Sequence, residues 1–251
     1  MTRDGVKVHV WRTAPLGKAA HHAKICRAMK QLVLDISPAP PPTFANFVVG
    51  QNQELYALLQ AMAEGASDER FVYVWGAAGA GKSHLLGAFA AARARHTTSL
   101  GHAASVPEIS QIRGDETVAF DDVHRVAPTG QPALFHAYNR IRSGAGRLVA
   151  SGALPPNQLA LLPDLKSRLG WGLVLEVKPL SDDEKYAALS RHAFERGFAL
   201  TPDVIRYILS RYSRDLPALM SLLAALDLYS LQHKRAVTVP LLKEVIDQQE
   251  L

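Results

Sequence analysis

Apolar residues along this chain recur in two rhythms. Between Gly50 and Gly65 they fall at Leu55, Leu58, Leu59 and Met62, a three-and-four spacing that gathers them on one helical face, and Gly65 supplies the stop. Phe71-Val72-Tyr73-Val74-Trp75 is instead uninterrupted, which predicts a strand buried on both faces. A helix rich in Ala and Leu is predicted over 81–95, and the weakly patterned stretch after it carries a strand near 98–103. An apolar strand at 117–122 ends in two acids, followed by a helix at 132–142 and a strand at 147–151. A helix at 156–169 with a break near Pro163 and a strand at 173–177 complete the alternation. Strands alternating with helices predict an α/β fold, a parallel sheet covered on both faces.

Beyond Pro179 only helical signals remain, at 181–196, 204–212, 215–232 and 240–249, so a small all-α lid is predicted from residue 180 to the end. Two of its helix starts are marked. Ser181 stands three residues before Glu184, the spacing of a capping box, and Thr201-Pro202 puts proline at a first helical position. At the other end, Ser37-Pro38-Ala39-Pro40-Pro41-Pro42 predicts an extended linker, because proline fixes φ and removes donors. The sheet domain is therefore expected over 43–179, after a peptide and linker at 29–42 and an extension at 1–28 that stands outside the fold, with Met29 as a second candidate start.

Charge and cysteine refine this picture. The net charge of +5 belongs to residues 1–28, with six basic side chains against Asp4, leaving 22 basic and 22 acidic residues in the body. A neutral body argues against a strong non-specific grip on DNA, which depends on neutralised phosphates. Cys26 is the only cysteine, so no internal disulfide or thiolate zinc set can form, which fits a reducing cytoplasm. No apolar run approaches the ~18 residues of a membrane span.

Gly76-Ala77-Ala78-Gly79-Ala80-Gly81-Lys82-Ser83 matches the P-loop pattern at every fixed position, directly between a buried strand and a helix. Gly76, Gly79, Ala80 and Gly81 let backbone N–H groups close around phosphates, Lys82 bridges the terminal ones, and Ser83 is placed for Mg²⁺. Asp121, at the end of the strand at 117–122, is the second candidate for Mg²⁺. Asp122 stands where a carboxylate would orient water, one methylene shorter than Glu, or where it would cap the following turn. His84, His124 and His136 have no metal-ligand spacing.

These motifs, with Phe44-x-x-Phe47-Val48-Val49-Gly50-x-Asn52, His84-Leu85-Leu86 after the P-loop, Pro155-Pro156 and Ser167-Arg168-Leu169-x-Trp171-Gly172, resemble the AAA+ domain of the bacterial replication initiator DnaA over about residues 43–249. The resemblance implies an AAA+ module that binds ADP or ATP with Mg²⁺, Asn52 and His84 contacting the nucleotide. It implies that Arg214 is a lid sensor, for which an ion pair with Asp203 or Asp215 is the plain alternative. Within the family, a short chain with no reading domain is the pattern of the cytoplasmic paralogues that inactivate DnaA. For these, Gln31-Leu32-Val33-Leu34-Asp35 is similar to the segment that docks on the sliding clamp of the replicative polymerase, Gln31 for hydrogen bonding and Leu32 and Leu34 for an apolar cleft. Arg168 then corresponds to an arginine finger acting in trans on ATP held by DnaA, while Asp122 stays the catalytic candidate that orients water at this chain's own P-loop, and DNA is met only through the clamp.

One strand departs from the pattern. Relatives carry a polar sensor near Ala153, usually followed by arginine, where this chain has Ala153 and Leu154, so weak intrinsic turnover is expected unless Ser151 compensates. Two other functions compete: a self-sufficient AAA+ ATPase such as a helicase loader, working as a homo-oligomer, and a DNA-binding module derived from the initiator.

Overall fold

The computed structural model describes residues 41–93, 97–100, 106–211 and 216–249. Five parallel strands form one sheet: β1 (Phe71–Trp75), β2 (Thr97–Leu100), β3 (Thr117–Phe120), β4 (Arg147–Gly152) and β5 (Leu173–Glu176), in the order β2-β3-β4-β1-β5. Nine helices accompany them among the described residues: α1 (Gln53–Glu64), α2 (Lys82–Ala92), α3 (Val106–Gln111), α4 (Gln131–Ser143), α5 (Pro163–Leu169), α6 (Asp182–Glu195), α7 (Pro202–Arg211), α8 (Leu216–His233) and α9 (Val239–Gln249).

Because strand side chains alternate between faces, the sheet feeds two apolar layers. Tyr73, Val118, Phe120, Leu148 and Ala150 pack with Leu134, Tyr138 and Ile141 of α4 and Leu165 and Leu169 of α5. Val72, Val74, Ala119 and Val149 point the other way, against Leu55, Leu59 and Met62 of α1 and Leu85, Leu86 and Phe89 of α2. The helices α6 to α9 close on a third cluster of their own, including Leu189, Val204, Ile208, Leu223, Leu226 and Leu242. Among the described residues no helix is long and apolar enough to cross a membrane.

The α/β reading and the helical lid are as the sequence predicts, and four details differ. Strand β2 starts at Thr97 and ends at Leu100, and the short helix α3 occupies part of the stretch in which no helix was expected. Helix α5 begins at Pro163 instead of Pro156: residues 156–158 make only a 3-10 turn, and Leu162 is extended (φ −53°, ψ 138°) because a following proline disfavours the helical region. Strand β3 stops at Phe120, so both acids lie just beyond it. Finally, β5 is an edge strand with Leu173 and Val174 38% and 37% exposed, so the sheet is not fully covered there.

The capping box is present: the Ser181 N–H donates to the Glu184 carboxylate at 2.8 Å and the Glu184 N–H donates to Ser181 Oγ at 3.2 Å. Ser181→Ala removes one of these bonds and should lower stability by about 1 kcal/mol in urea denaturation; an unchanged midpoint would show that solvent replaces the cap.

Candidate functional site

β1 lies between β4 and β5, its central residues buried on both faces, and the chain leaves its carboxyl end through the P-loop. A side chain at Gly76 would place its Cβ 2.5 Å from the Val177 carbonyl oxygen, so the loop passes beside the end of β5 only because that atom is missing. At Gly81 the backbone has φ +100°, left-handed, and a Cβ would lie 2.9 Å from the Phe47 ring. That residue turns the loop directly into α2, whose start offers unbonded N–H groups to an anion.

Lys82 opens α2 and is buried. Its ammonium donates to the carbonyls of Gly76 and Ala77, both at 2.8 Å, which folds the side chain back across the loop. Burial pulls its pKa below the ordinary lysine value, while the charges of Asp122 and then Asp121 push the other way. Ser83 follows, exposed, and its hydroxyl has no protein partner among the described residues. Ala80 is buried among the apolar side chains beneath the loop.

The two acids follow β3, which lies beyond β4 from β1 in the sheet. Register pairs Phe120 with Ala150, which brings Asp121 beside Ser151 of β4. The Ser151 hydroxyl, fully buried, donates to the Asp121 carboxylate and accepts the Asp122 N–H at 2.9 Å. Asp122 sits in the left-handed region (φ 51°), and its side chain makes no capping hydrogen bond to the turn that follows. Its carboxylate has Arg125 at 3.6 Å and His124 at 3.9 Å. Ala153 and Leu154 are exposed, so the polar group nearest these acids on β4 is Ser151. Tyr73 braces the same end of β4, donating to the Leu154 carbonyl at 2.8 Å. Burial, with the Asp122 charge second, pushes the Tyr73 phenol well above its usual range, so it remains a donor.

The residues expected near the base are tied to the frame. Asn52 is buried and exchanges two hydrogen bonds with the backbone of Lys178, donating at 2.9 Å and accepting at 2.8 Å. Its amide therefore locks α1 to the segment after β5. The His84 ring meets the Thr43 carbonyl at 3.1 Å and Asn46 Oδ1 at 2.9 Å, and lies 5.5 Å from the Phe47 ring, which also stacks on Tyr56 at 6.0 Å. Gly50, with φ +50°, passes so close to Leu180 and Glu184 that a Cβ would lie 2.6 Å and 3.0 Å from them. The segment 43–50 is thereby held against α2 on one side and the start of α6 on the other.

Arg168 lies elsewhere. It is in the last turn of α5, and Trp171 just after it donates its N–H to the Arg168 carbonyl at 3.1 Å. Gly172 is packed on the Phe71 carbonyl at the opposite end of β1 from the P-loop. The five residues of β1 separate the two ends by about 16 Å. Arg214 and the peptide residues Gln31, Leu32 and Leu34 lie outside the described residues.

A site built this way has the donors for a polyphosphate, a turn of amides, an ammonium and a serine hydroxyl, with a carboxylate beside them to which a cation could bind. Among the described residues no three His, Cys, Asp or Glu side chains cluster to hold a metal by themselves. Mg²⁺ keeps water and phosphate oxygens in its shell and takes few protein ligands; the residues that could hold it here are Ser83 and Asp121. Sequence reading left the part played by Ser151 undecided and passed over the Asn52 link to Lys178. A lone hydroxyl ending the apolar run Leu148-Val149-Ala150 was the signal for the first; the second joins positions 126 apart and left none.

Residues 182–246 match the Hda lid domain family. Among solved structures, domain III of the Thermotoga maritima replication initiation protein DnaA superposes with a TM-score of 0.68 at 20% identity, over 84% of this chain and 98% of that one. AMPPCP-bound DnaA from Aquifex aeolicus gives 0.61 at 20% identity, over 76% and 68%. The Thermotoga maritima RuvB Holliday junction branch migration motor gives 0.61 at 20%, over 82% and 72%, so the likeness reaches beyond initiators. The chain therefore shares the fold of DnaA domain III, and residues 182–246 within its helical lid match the Hda lid domain family.

Proposed function

We propose that this protein is a nucleotide-bound regulator of replication initiation that stimulates hydrolysis of ATP held by DnaA. In this reading residues 43–179 and 180–251 work as nucleotide-binding domain and lid. ADP or ATP lies in the P-loop, its phosphates against the amides of Gly76 to Gly81 and the Lys82 ammonium. Lys82 would exchange its two carbonyl acceptors for phosphate oxygens, and Mg²⁺, when bound by Ser83 and Asp121, would neutralise phosphate charge. Gln31, Leu32 and Leu34 tether the protein to the polymerase sliding clamp.

The observation that carries the reading is the distance between Arg168 and the chain's own P-loop, at opposite ends of β1. An arginine so placed has no phosphate to serve in its own chain, which supports action on a neighbour's nucleotide. The lid family and the DnaA-like fold make DnaA the partner of choice. At the chain's own nucleotide, Ser151 engages Asp121 and the Asp122 N–H, while Ala153 and Leu154 offer no polar side chain toward a γ-phosphate. Slow intrinsic turnover follows, and a resident ADP would suit it.

Hydrolysis should be measured with DnaA, clamp-loaded DNA and this protein added in turn. Stimulation is expected only with all three present, and Arg168→Ala should reduce it by about 10³-fold or more while leaving nucleotide binding intact. Undiminished stimulation would remove Arg168 from the reaction, and rapid turnover by the isolated protein would instead support a self-sufficient ATPase. Replacing Leu32 and Leu34 together by Ala should abolish binding to immobilised clamp; unchanged affinity would discard the tether. Lys82→Ala should eliminate the heat of ADP and ATP binding in magnesium buffer, and a wild-type titration curve would refute the phosphate cradle.

A further inference from the structure

Side chains from three elements converge where α5 turns into β5. Arg168 ends α5, Arg142 ends α4, and Trp171 stands in the turn between α5 and β5. The guanidinium carbon of Arg168 is 3.5 Å from the indole centroid and that of Arg142 is 3.6 Å from it. Two guanidinium groups at van der Waals distance from one ring centre cannot share a face, so the indole is sandwiched between them. Phe135, seven residues before Arg142 on the same side of α4, places its ring centre 5.2 Å from the Arg168 guanidinium. The indole cannot easily shift, because its neighbour Gly172 lies so close to β1 that a Cβ would fall 1.8 Å from the Phe71 carbonyl oxygen.

Stacking of this kind uses the face of a guanidinium and leaves its edge. The N–H donors lie in the plane of the group and point outward, so an arginine held flat on an indole still offers them to an oxyanion. Arg168 Nε is buried with no acceptor, which leaves the two terminal nitrogens as its working donors. Among the described residues neither Arg142 nor Arg168 has a carboxylate within ion-pair distance. Two positive charges are thus held one ring apart with no acid between them. A multiply charged anion approaching their edges would be attracted by both.

We propose that Trp171 is a positioning residue that holds Arg168 edge-outward, and that Arg142, on the other face of the indole, supplies a second positive charge to the same anion, the triphosphate of a nucleotide bound in a partner chain. The proposal rests on the reading of Arg168 as acting in trans. Its gain is preorganisation: an arginine on a free stem must be ordered during each encounter, whereas one clamped between rings is already ordered.

The test uses the full-length protein in the hydrolysis assay with DnaA and clamp-loaded DNA, reading the maximal stimulated rate separately from the concentration for half-maximal stimulation. Trp171→Ala should lower the maximal rate by about 10- to 100-fold. Trp171→Phe, which keeps an aromatic face, should restore most of it. Arg142→Gln, an exposed substitution that leaves the fold alone, should lower the rate by about 3- to 10-fold and weaken its dependence on salt. The indole emission, isolated as the difference between the wild type and Trp171→Phe, should change when the ATP form of DnaA is added and stay constant with the ADP form. If Arg168→Ala is inert, the underlying reading fails. If Arg168→Ala abolishes stimulation while Trp171→Ala and Arg142→Gln both keep the wild-type rate, only the positioning proposal falls. Loss with Trp171→Phe equal to that with Trp171→Ala would also overturn it, since the aromatic face would then be irrelevant.

Discussion

The burial of β1 between β4 and β5 is the constraint on which the rest of the site depends. Its side chains are packed from both faces and its backbone is paired on both sides, so the point where the chain leaves the sheet is fixed. A glycine-rich turn in solution would sample many conformations. Here it is anchored at one end by a buried strand and at the other by α2, and that anchoring converts flexible backbone into an ordered ring of donors. The alternation that buries Val72 and Val74 on one face leaves Tyr73 on the other, where its hydroxyl supports the end of β4.

Around that anchor the sheet order determines which groups meet. With β4 inserted between β1 and β3, the acids that follow β3 reach the P-loop region across the end of β4, and Ser151 is the residue they pass. A buried hydroxyl that bonds one carboxylate and the next residue's amide fixes both acids at once. Burial and opposite charge act on Lys82 in contrary directions, and burial prevails. The loop carbonyls accept from that ammonium and hold it across the turn.

What could be read from the sequence was what is local. The P-loop, the capping box at Ser181 and the run Phe71–Trp75 each fit within a few residues, and each stands where the pattern placed it. The alternation of strands and helices likewise gave the parallel sheet. The extent of α5 was misjudged because apolar residues at 159, 161 and 162 mimic helical spacing, although Pro163 forces the residue before it to extend. The surroundings of Arg168 were not visible. Its indole partner is three residues away, but Arg142 and Phe135 come from α4, and only the packing of α4 on α5 brings them in. Family likeness puts Asn52 near the base, and its amide link to the backbone of Lys178, 126 positions away, left no local signal.

The outer margin of β5 has a different significance. Among the described residues no strand pairs with it, and Leu173 and Val174 stand half-exposed along it. Such a border can recruit any extended polypeptide, including another copy of itself, and Glu176 is the single charged side chain along it. Replacing that carboxylate by an uncharged residue would leave the described margin of β5 without a charged gatekeeper against cross-strand association.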